Sequence, residues 1–280
     1  MKKHLSLLLM VSLLFSLAAC GGIQESSSTE DPAETSTEIL VFAAASMQES
    51  LNAAIEGYKS LAPEVTVVAT YDSSGTLLTQ IKEGAPCDLF ISAAPKQINA
   101  LDGALIGNTE KNPDGLDMVV EGSRLNLLEN KVMLAVPEGN PAGIEAFDQL
   151  ADSLKNDDVM LAVGNSDVPV GQYTQKIFAY YEIDESAIAS KLTYGSNAKE
   201  VTIQISEGTV DCGIIYGTDA FSAGLAVVDS ATAEMCGQVI YPAAVINSGD
   251  QPEAAQAFLD YLCTDEALAH FEAVGFSPMV

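Results

Sequence analysis

The sequence predicts an α/β protein built from mostly parallel sheets flanked by helices. Two observations carry this expectation. Strand-like apolar runs alternate with amphipathic helical segments along most of the chain, the pattern that lays parallel strands side by side with crossover helices on their faces. After a polar, Gly- and Asn-containing stretch at 102–126 the same pattern restarts. At 280 residues, 48% hydrophobic and 18% charged, the chain can bury one large core or two modest ones.

In the first block, EILVFA (38–43) reads as a strand and MQESLNAAIEGYKSL (47–61) as an amphipathic helix. EVTVVATY (64–71) is the next strand, GTLLTQIKEG (75–84) a short helix ending on Gly84, and DLFISAA (88–94) a third strand. After the polar stretch, KVMLAVP (131–137) and VMLAVG (159–164) are strand-like and 172–181 is helical. KLTYGS (191–196), CGIIYG (212–217) and QVIYPAAVI (238–246) supply further strands, and 251–263 and 265–274 end the chain as helices.

The first twenty residues, MKKHLSLLLMVSLLFSLAAC, place two lysines before an apolar stretch at 5–17 and small residues after it. This is the layout of a secretory leader, and the apolar part is shorter than the roughly 20 residues a membrane-spanning helix needs. LAAC (17–20) resembles a bacterial lipobox, so residues 1–19 are expected to be removed and the Cys20 thiol lipidated. GGIQESSSTEDPAETST (21–37) has almost no apolar content; such a segment cannot offset its ordering entropy and is expected to act as a flexible acidic tether. The folded body is expected to start near Glu38, outside the cell membrane and anchored to its outer face.

The net charge is −27, about −29 once Lys2 and Lys3 leave with the leader, and Arg124 is the only arginine. Nucleic-acid binding needs a basic surface and is excluded as a function class. Cys87, Cys212, Cys236 and Cys263 form no CxxC pair and have no histidines at zinc spacing. Disulfides and buried free thiols both remain open for these four.

In parallel sheets, ligands bind beyond the carboxyl ends of strands, where helix N-termini present unpaired backbone N–H groups. Five such junctions have an unusual makeup. Ala43, Ala44 and Ala45 lead into Ser46; YDSSGT (71–76) opens a helix with hydroxyls and a glycine; DVPVGQ (167–172) does so with proline and glycine. SNAKEV (196–201) leads into another helix, and IIYGTD (214–219) places a phenol at the end of a buried strand. Singly these are weak signals, because serine is a common structural N-cap and glycine and proline often only mark turns.

In combination, VFAAAS (41–46), SSGTL (73–77), GAPCDLFISA (84–93), VPVG (168–171), KEV (199–201), GIIYGTDA (213–220) and YPAAV (241–245) resemble the molybdate-binding (ModA-type) lipoproteins and periplasmic proteins of ABC importers. The resemblance runs from about residue 38 to the end. It implies the two-lobed fold of periplasmic binding proteins, class II type, with the ligand in the interlobe cleft. Lobe I would comprise 38–130 plus 239–280, lobe II 131–238, joined by two strand crossings.

The resemblance further implies that molybdate is held by the hydroxyls of Ser46, Ser74 and Tyr216 and by backbone amides including Val170 and Val201. The metal enters as an oxyanion, not as a bare cation. No cofactor and no catalysis are implied, tungstate should bind as molybdate does, and the loaded protein, a monomer, delivers its anion to a membrane permease. Two departures from the family pattern stand out: VPVG replaces a more usual VPAG, adding bulk near the site, and Asp72 adds a carboxylate that should point away.

The chemistry fits an oxyanion independently. A fully deprotonated tetrahedral dianion only accepts hydrogen bonds, so its pocket should supply donors: hydroxyls, backbone N–H groups and helix N-termini. Lys199 is the one cation within these segments. Preorganised dipoles in a nearly dry cleft can hold an anion in an acidic protein, since surface carboxylates beyond roughly 8 Å are screened by salt. The alternatives are another oxyanion, such as sulfate or thiosulfate, and, from a different class, an exported serine hydrolase. The hydrolase lacks a G-x-S-x-G elbow, and His270 is the only histidine after the leader.

Overall fold

The computed structural model describes residues 37–156 and 159–280. The expected leader, Cys20 and the tether fall outside these residues, except Thr37, which opens the first strand. Strand β1 (Thr37–Ala44) lies inside a six-stranded sheet and is fully buried from Val41 onward. It pairs in parallel with β2 (Val65–Asp72) on one side and β3 (Leu89–Ile91) on the other. Because β2 is the edge strand, its residues alternate between half-buried and exposed.

Helix α1 (Gln48–Leu61) buries Leu51, Ala54, Ile55 and Tyr58, one stripe at helical spacing. Helix α2 (Ser74–Lys82) starts where the Ser73 hydroxyl accepts the Thr76 N–H, an N-cap that supplies one of the acceptors the first turn lacks. The strand expected over 88–94 shortens to three residues. Ser92 turns its hydroxyl to the Ala94 carbonyl, and Pro95 then opens α3 (Pro95–Asn99) at a position where a missing N–H costs nothing.

The polar stretch is organised by one buried asparagine. Asn112 donates to the carbonyls of Asp102 and Leu116 and accepts the Leu116 N–H. Arg124 closes it by pairing with Asp102 at 2.6 Å and donating to Asn99. Strand β4 (Leu125–Asn130) follows, then after the single residue Lys131 comes β5 (Val132–Val136), which belongs to a different, five-stranded sheet.

In that second sheet, α4 (Phe147–Asn156) precedes β6 (Leu161–Gly164), and α5 (Pro169–Tyr180) leads to β7 (Leu192–Gly195). Helix α6 (Ala198–Ser206), β8 (Cys212–Tyr216), α7 (Gly217–Ser222) and β9 (Ala226–Ser230) complete it. The chain returns through α8 (Ala233–Cys236) to β10 (Val239–Val245) in the first sheet, and ends in α9 (Pro252–Leu262), α10 (Asp265–Glu272) and the short β11 (Ser277–Pro278). The strand orders are β11-β4-β10-β3-β1-β2 and β7-β6-β8-β5-β9.

Each sheet is therefore mixed. The expected parallel pairing occurs in β2-β1-β3 and β7-β6-β8, where helices connect the strands. The strands next to the crossings, β4, β10, β5 and β9, pair antiparallel. Helices cover both faces: Leu77, Ile81 and Ile98 pack on Phe42 and Phe90 at one outer face, and Val201 and Ile205 pack on Ala162 and Ile215 at another. Cys87, Cys212, Cys236 and Cys263 are all free thiols. Burial pushes those of Cys87 and Cys212 up to about 12, which makes them packing residues and not nucleophiles.

Candidate functional site

The carboxyl ends of the parallel strands converge on one small, narrow cavity. Its walls come from Ala44, which ends β1, with Ala45 and Ser46 after it, from Asp72, which ends β2, with Ser73 and Ser74 after it, and from Ala93 after β3. The second sheet supplies Val168 before α5, Pro169 and Ala198 at the starts of α5 and α6, and Tyr216 at the end of β8. The small residues matter here because a longer side chain at Ala44, Ala45, Ala93 or Ala198 would fill the space. A wider cleft lined by Ser46, Gln48, Asn52, Lys199 and Asp219 opens alongside.

Ser46, Ser74 and Tyr216 are thus brought together, each from a different strand end. Ser74 is fully buried, and its Oγ accepts the Ala93 N–H at 3.0 Å, so its own proton is left to donate. Ser46 Oγ lies 2.8 Å from the Tyr241 hydroxyl. Tyr216 is 1% exposed and its hydroxyl has no hydrogen-bond partner. Burial above all, then Tyr241, Tyr173 and Asp219, hold this phenol well above its ordinary pKa, so it stays a neutral O–H donor. A buried donor without an acceptor costs about 1–3 kcal/mol. An accepting group beside Tyr216 would relieve that cost.

Val170 and Val201 do not line the cavity with their side chains. Val170 is the second residue of α5, in the turn whose N–H groups lack intrahelical acceptors. Its extra bulk does not crowd the ligand space: the side chain is buried, with Cγ1 only 3.0 Å from where a Cβ on Gly164 would sit. Val201 lies on the first turn of α6, and its N–H reaches the Asn197 carbonyl at a long 3.4 Å. Asp72 differs from the expectation that it points away. It belongs to the cavity wall, but its Oδ1 turns back to accept the Ser73 N–H at 2.6 Å.

The two sheets' contributions meet closely at this point. Lys199 Nζ donates to Gln48 Oε1 across the cleft, and a Cβ built on Gly75 would run into the Asp167 carbonyl. Edge-to-face aromatic contacts run behind the cavity from Tyr173 to Tyr216, from Tyr216 to Tyr241 and from Tyr241 to Phe276. Asp219 is half-buried as a residue, yet its Oδ2 is sealed and unpartnered. Burial raises its pKa to about 7 against the opposing pull of Lys199.

A model of the family described as bacterial extracellular solute-binding protein matches residues 39–277. The chain belongs to this family. YvgL of Bacillus subtilis, provisionally named an ABC transporter substrate-binding lipoprotein, is 29% identical over 99% of this solute-binding protein and 98% of its own length. The molybdate-binding protein ModA of Escherichia coli is 31% identical, covering 86% of this chain and 89% of its own. Among solved structures, the substrate-binding domain of a provisionally named molybdenum ABC transporter from Clostridium difficile superposes with a TM-score of 0.62 at 27% identity, covering 88% of this chain and all of that one.

This solute-binding protein is therefore of the ModA-type, oxyanion-binding kind that serves ABC importers outside the cytoplasm, and it is not an enzyme. His270 sits in the last turn of α10, away from the cavity-lining residues. Among the described residues, no group of three or more His, Cys, Asp or Glu side chains could hold a metal ion, and no helix is long and apolar enough to cross a membrane. Two residues escaped the sequence reading, Tyr241 beside Ser46 and Asn130 behind Tyr241. Tyr241 opens the YPAAV segment, but nothing in that segment announces a partner 195 residues away.

Proposed function

We propose that this solute-binding protein captures molybdate, and tungstate with it, between lobe I (38–130 plus 239–280) and lobe II (131–238). It would deliver the anion to a membrane permease as a monomer anchored through a lipid on Cys20. The observation that carries the reading is the buried, partnerless hydroxyl of Tyr216 in a cavity that also holds Ser46 and Ser74. A dianion without protons satisfies all three donors at once. The amides of Val170 and Val201 complete the set, with the Val201 N–H shared between Asn197 and the ligand. ModA of Escherichia coli, named for molybdate binding, supports this choice among oxyanions.

Titration calorimetry against molybdate, tungstate, sulfate and phosphate tests the ligand. Molybdate and tungstate are expected to bind comparably and sulfate far more weakly, since donors spaced for a larger anion sit too far from a smaller one. The double variant S46A/S74A should abolish the rise in melting temperature that molybdate produces. An undiminished rise would place the site elsewhere. Incorporation of labelled palmitate, lost in C20S, tests the anchor.

A further inference from the structure

Asn130 occupies the crossing between the two sheets, 3% exposed, and its orientation is fixed. Its Oδ1 accepts the Lys131 N–H at 2.8 Å; a backbone N–H can only donate, so the amide cannot be flipped. Both protons on Nδ2 then have defined acceptors, the Thr218 hydroxyl on α7 at 3.0 Å and the Tyr241 hydroxyl at 3.2 Å. With one lone pair of Tyr241 occupied by Asn130, its single proton has Ser46 Oγ at 2.8 Å as a well-placed acceptor.

We infer that Asn130 and Tyr241 are specificity-determining positioning residues: their hydrogen-bond chain makes Ser46 an obligate donor, so the cavity rejects oxyanions that carry a proton. The inference rests on the oxyanion reading above and goes beyond it. In the reverse polarity Ser46 would donate to Tyr241, and the Tyr241 proton would be buried without an acceptor, at the cost such orphans carry. In the polarity that Asn130 favours, Ser46 accepts from Tyr241 and turns its own proton to the cavity. Ser74 reaches the same state by accepting from the Ala93 N–H. Both serines therefore present protons. Hydrogen phosphate must place its own proton against an acceptor, and neither serine offers one. Asp72 Oδ1 is engaged by the Ser73 N–H. Molybdate and sulfate, fully deprotonated at neutral pH, meet donors at both serines.

Two variants of the full soluble body test this, with unliganded melting and circular dichroism as the check on folding. Y241F frees the Ser46 lone pair. It should weaken molybdate binding and relax the exclusion of hydrogen phosphate, so that the ratio of the two affinities falls roughly tenfold, the scale of one hydrogen bond. N130D replaces the two donors with an acceptor, draws the Tyr241 proton to itself and reverses the chain, so it should lower molybdate affinity further than Y241F does. Loss of molybdate and hydrogen phosphate affinity in equal proportion would reduce Tyr241 to a packing residue and overturn the inference. So would wild-type protein that binds hydrogen phosphate as tightly as molybdate. If the wild type instead prefers sulfate, the molybdate reading fails, and the sulfate-to-hydrogen-phosphate ratio in the same variants decides the relay.

Discussion

The two sides of the cavity differ in how finished they are. The side built on the six-stranded sheet is held in place: Ser74 by a backbone N–H and Ser46 by the Tyr241 hydroxyl. The side built on the five-stranded sheet carries the sealed, partnerless Tyr216 OH, with a second such group, Asp219 Oδ2, in the cleft alongside. One side is prepared before any ligand arrives, whereas the other is left in deficit. A ligand that first binds the prepared side and then relieves the Tyr216 deficit interacts more strongly with the closed arrangement than with an open one. Differential contact of that kind is what lets a ligand drive closure.

The largest effect should come from the seam between the sides. Gly75 on α2 packs so tightly against the Asp167 carbonyl that no Cβ fits, although alanine is otherwise the better helix residue. G75A is expected to leave the unliganded melting temperature unchanged or slightly raised while weakening molybdate binding by about a hundredfold, the upper range of overpacking costs. Wild-type affinity in G75A would mean that the two sides need not meet this closely.

Removing the deficit itself has effects of opposite sign. Y216F deletes an unsatisfied buried donor, so the unliganded protein should gain about 1 kcal/mol in denaturant unfolding. Its affinity for molybdate should fall about twentyfold, since hydrogen bonds to charged groups are among the stronger ones. A variant that loses stability along with affinity would show that Tyr216 is a packing residue first.

The smallest effect concerns pH. The Asp219 carboxyl, with a pKa raised to about 7, is neutral below that value and charged above it. Lys199 opposes this shift, while Tyr216 and Tyr241 are the phenols whose own values it raises. A raised carboxylate pKa contributes stability that is fully present below the unfolded value near 3.8 and is lost as pH rises through 7. Unliganded stability should therefore fall between pH 5 and pH 8, and molybdate should bind about threefold more weakly at the upper end as a second negative charge appears nearby. D219N should flatten both trends, which melting curves and calorimetry at the two pH values would read.

What the sequence made legible were the locally encoded features. The strand–helix alternation located β1, β2, β6, β8 and β10 because burial writes itself into periodicity, and the hydroxyls of Ser46, Ser74 and Tyr216 stood at strand ends where the chain changes direction. What it hid is long-range. LNLLEN (125–130) does not read as a strand, since its polar residues include Asn130, whose role appears only when Thr218 and Tyr241 are beside it. The antiparallel half of each sheet was equally hidden, because strand direction at a crossing depends on where the chain returns. Val170 adds bulk near the site, and only the space above Gly164 shows where that bulk goes.

The aromatic contacts behind the cavity have an optical consequence. The chain contains nine tyrosines and no tryptophan, so its near-ultraviolet absorption and emission arise almost wholly from phenols. Tyr216 lies at the middle of the Tyr173–Tyr216–Tyr241 contacts. An anion accepting its O–H bond changes the environment of a chromophore already coupled to two neighbours. Occupancy of the cavity is thereby written into the protein's intrinsic spectrum, where it can be followed without any label.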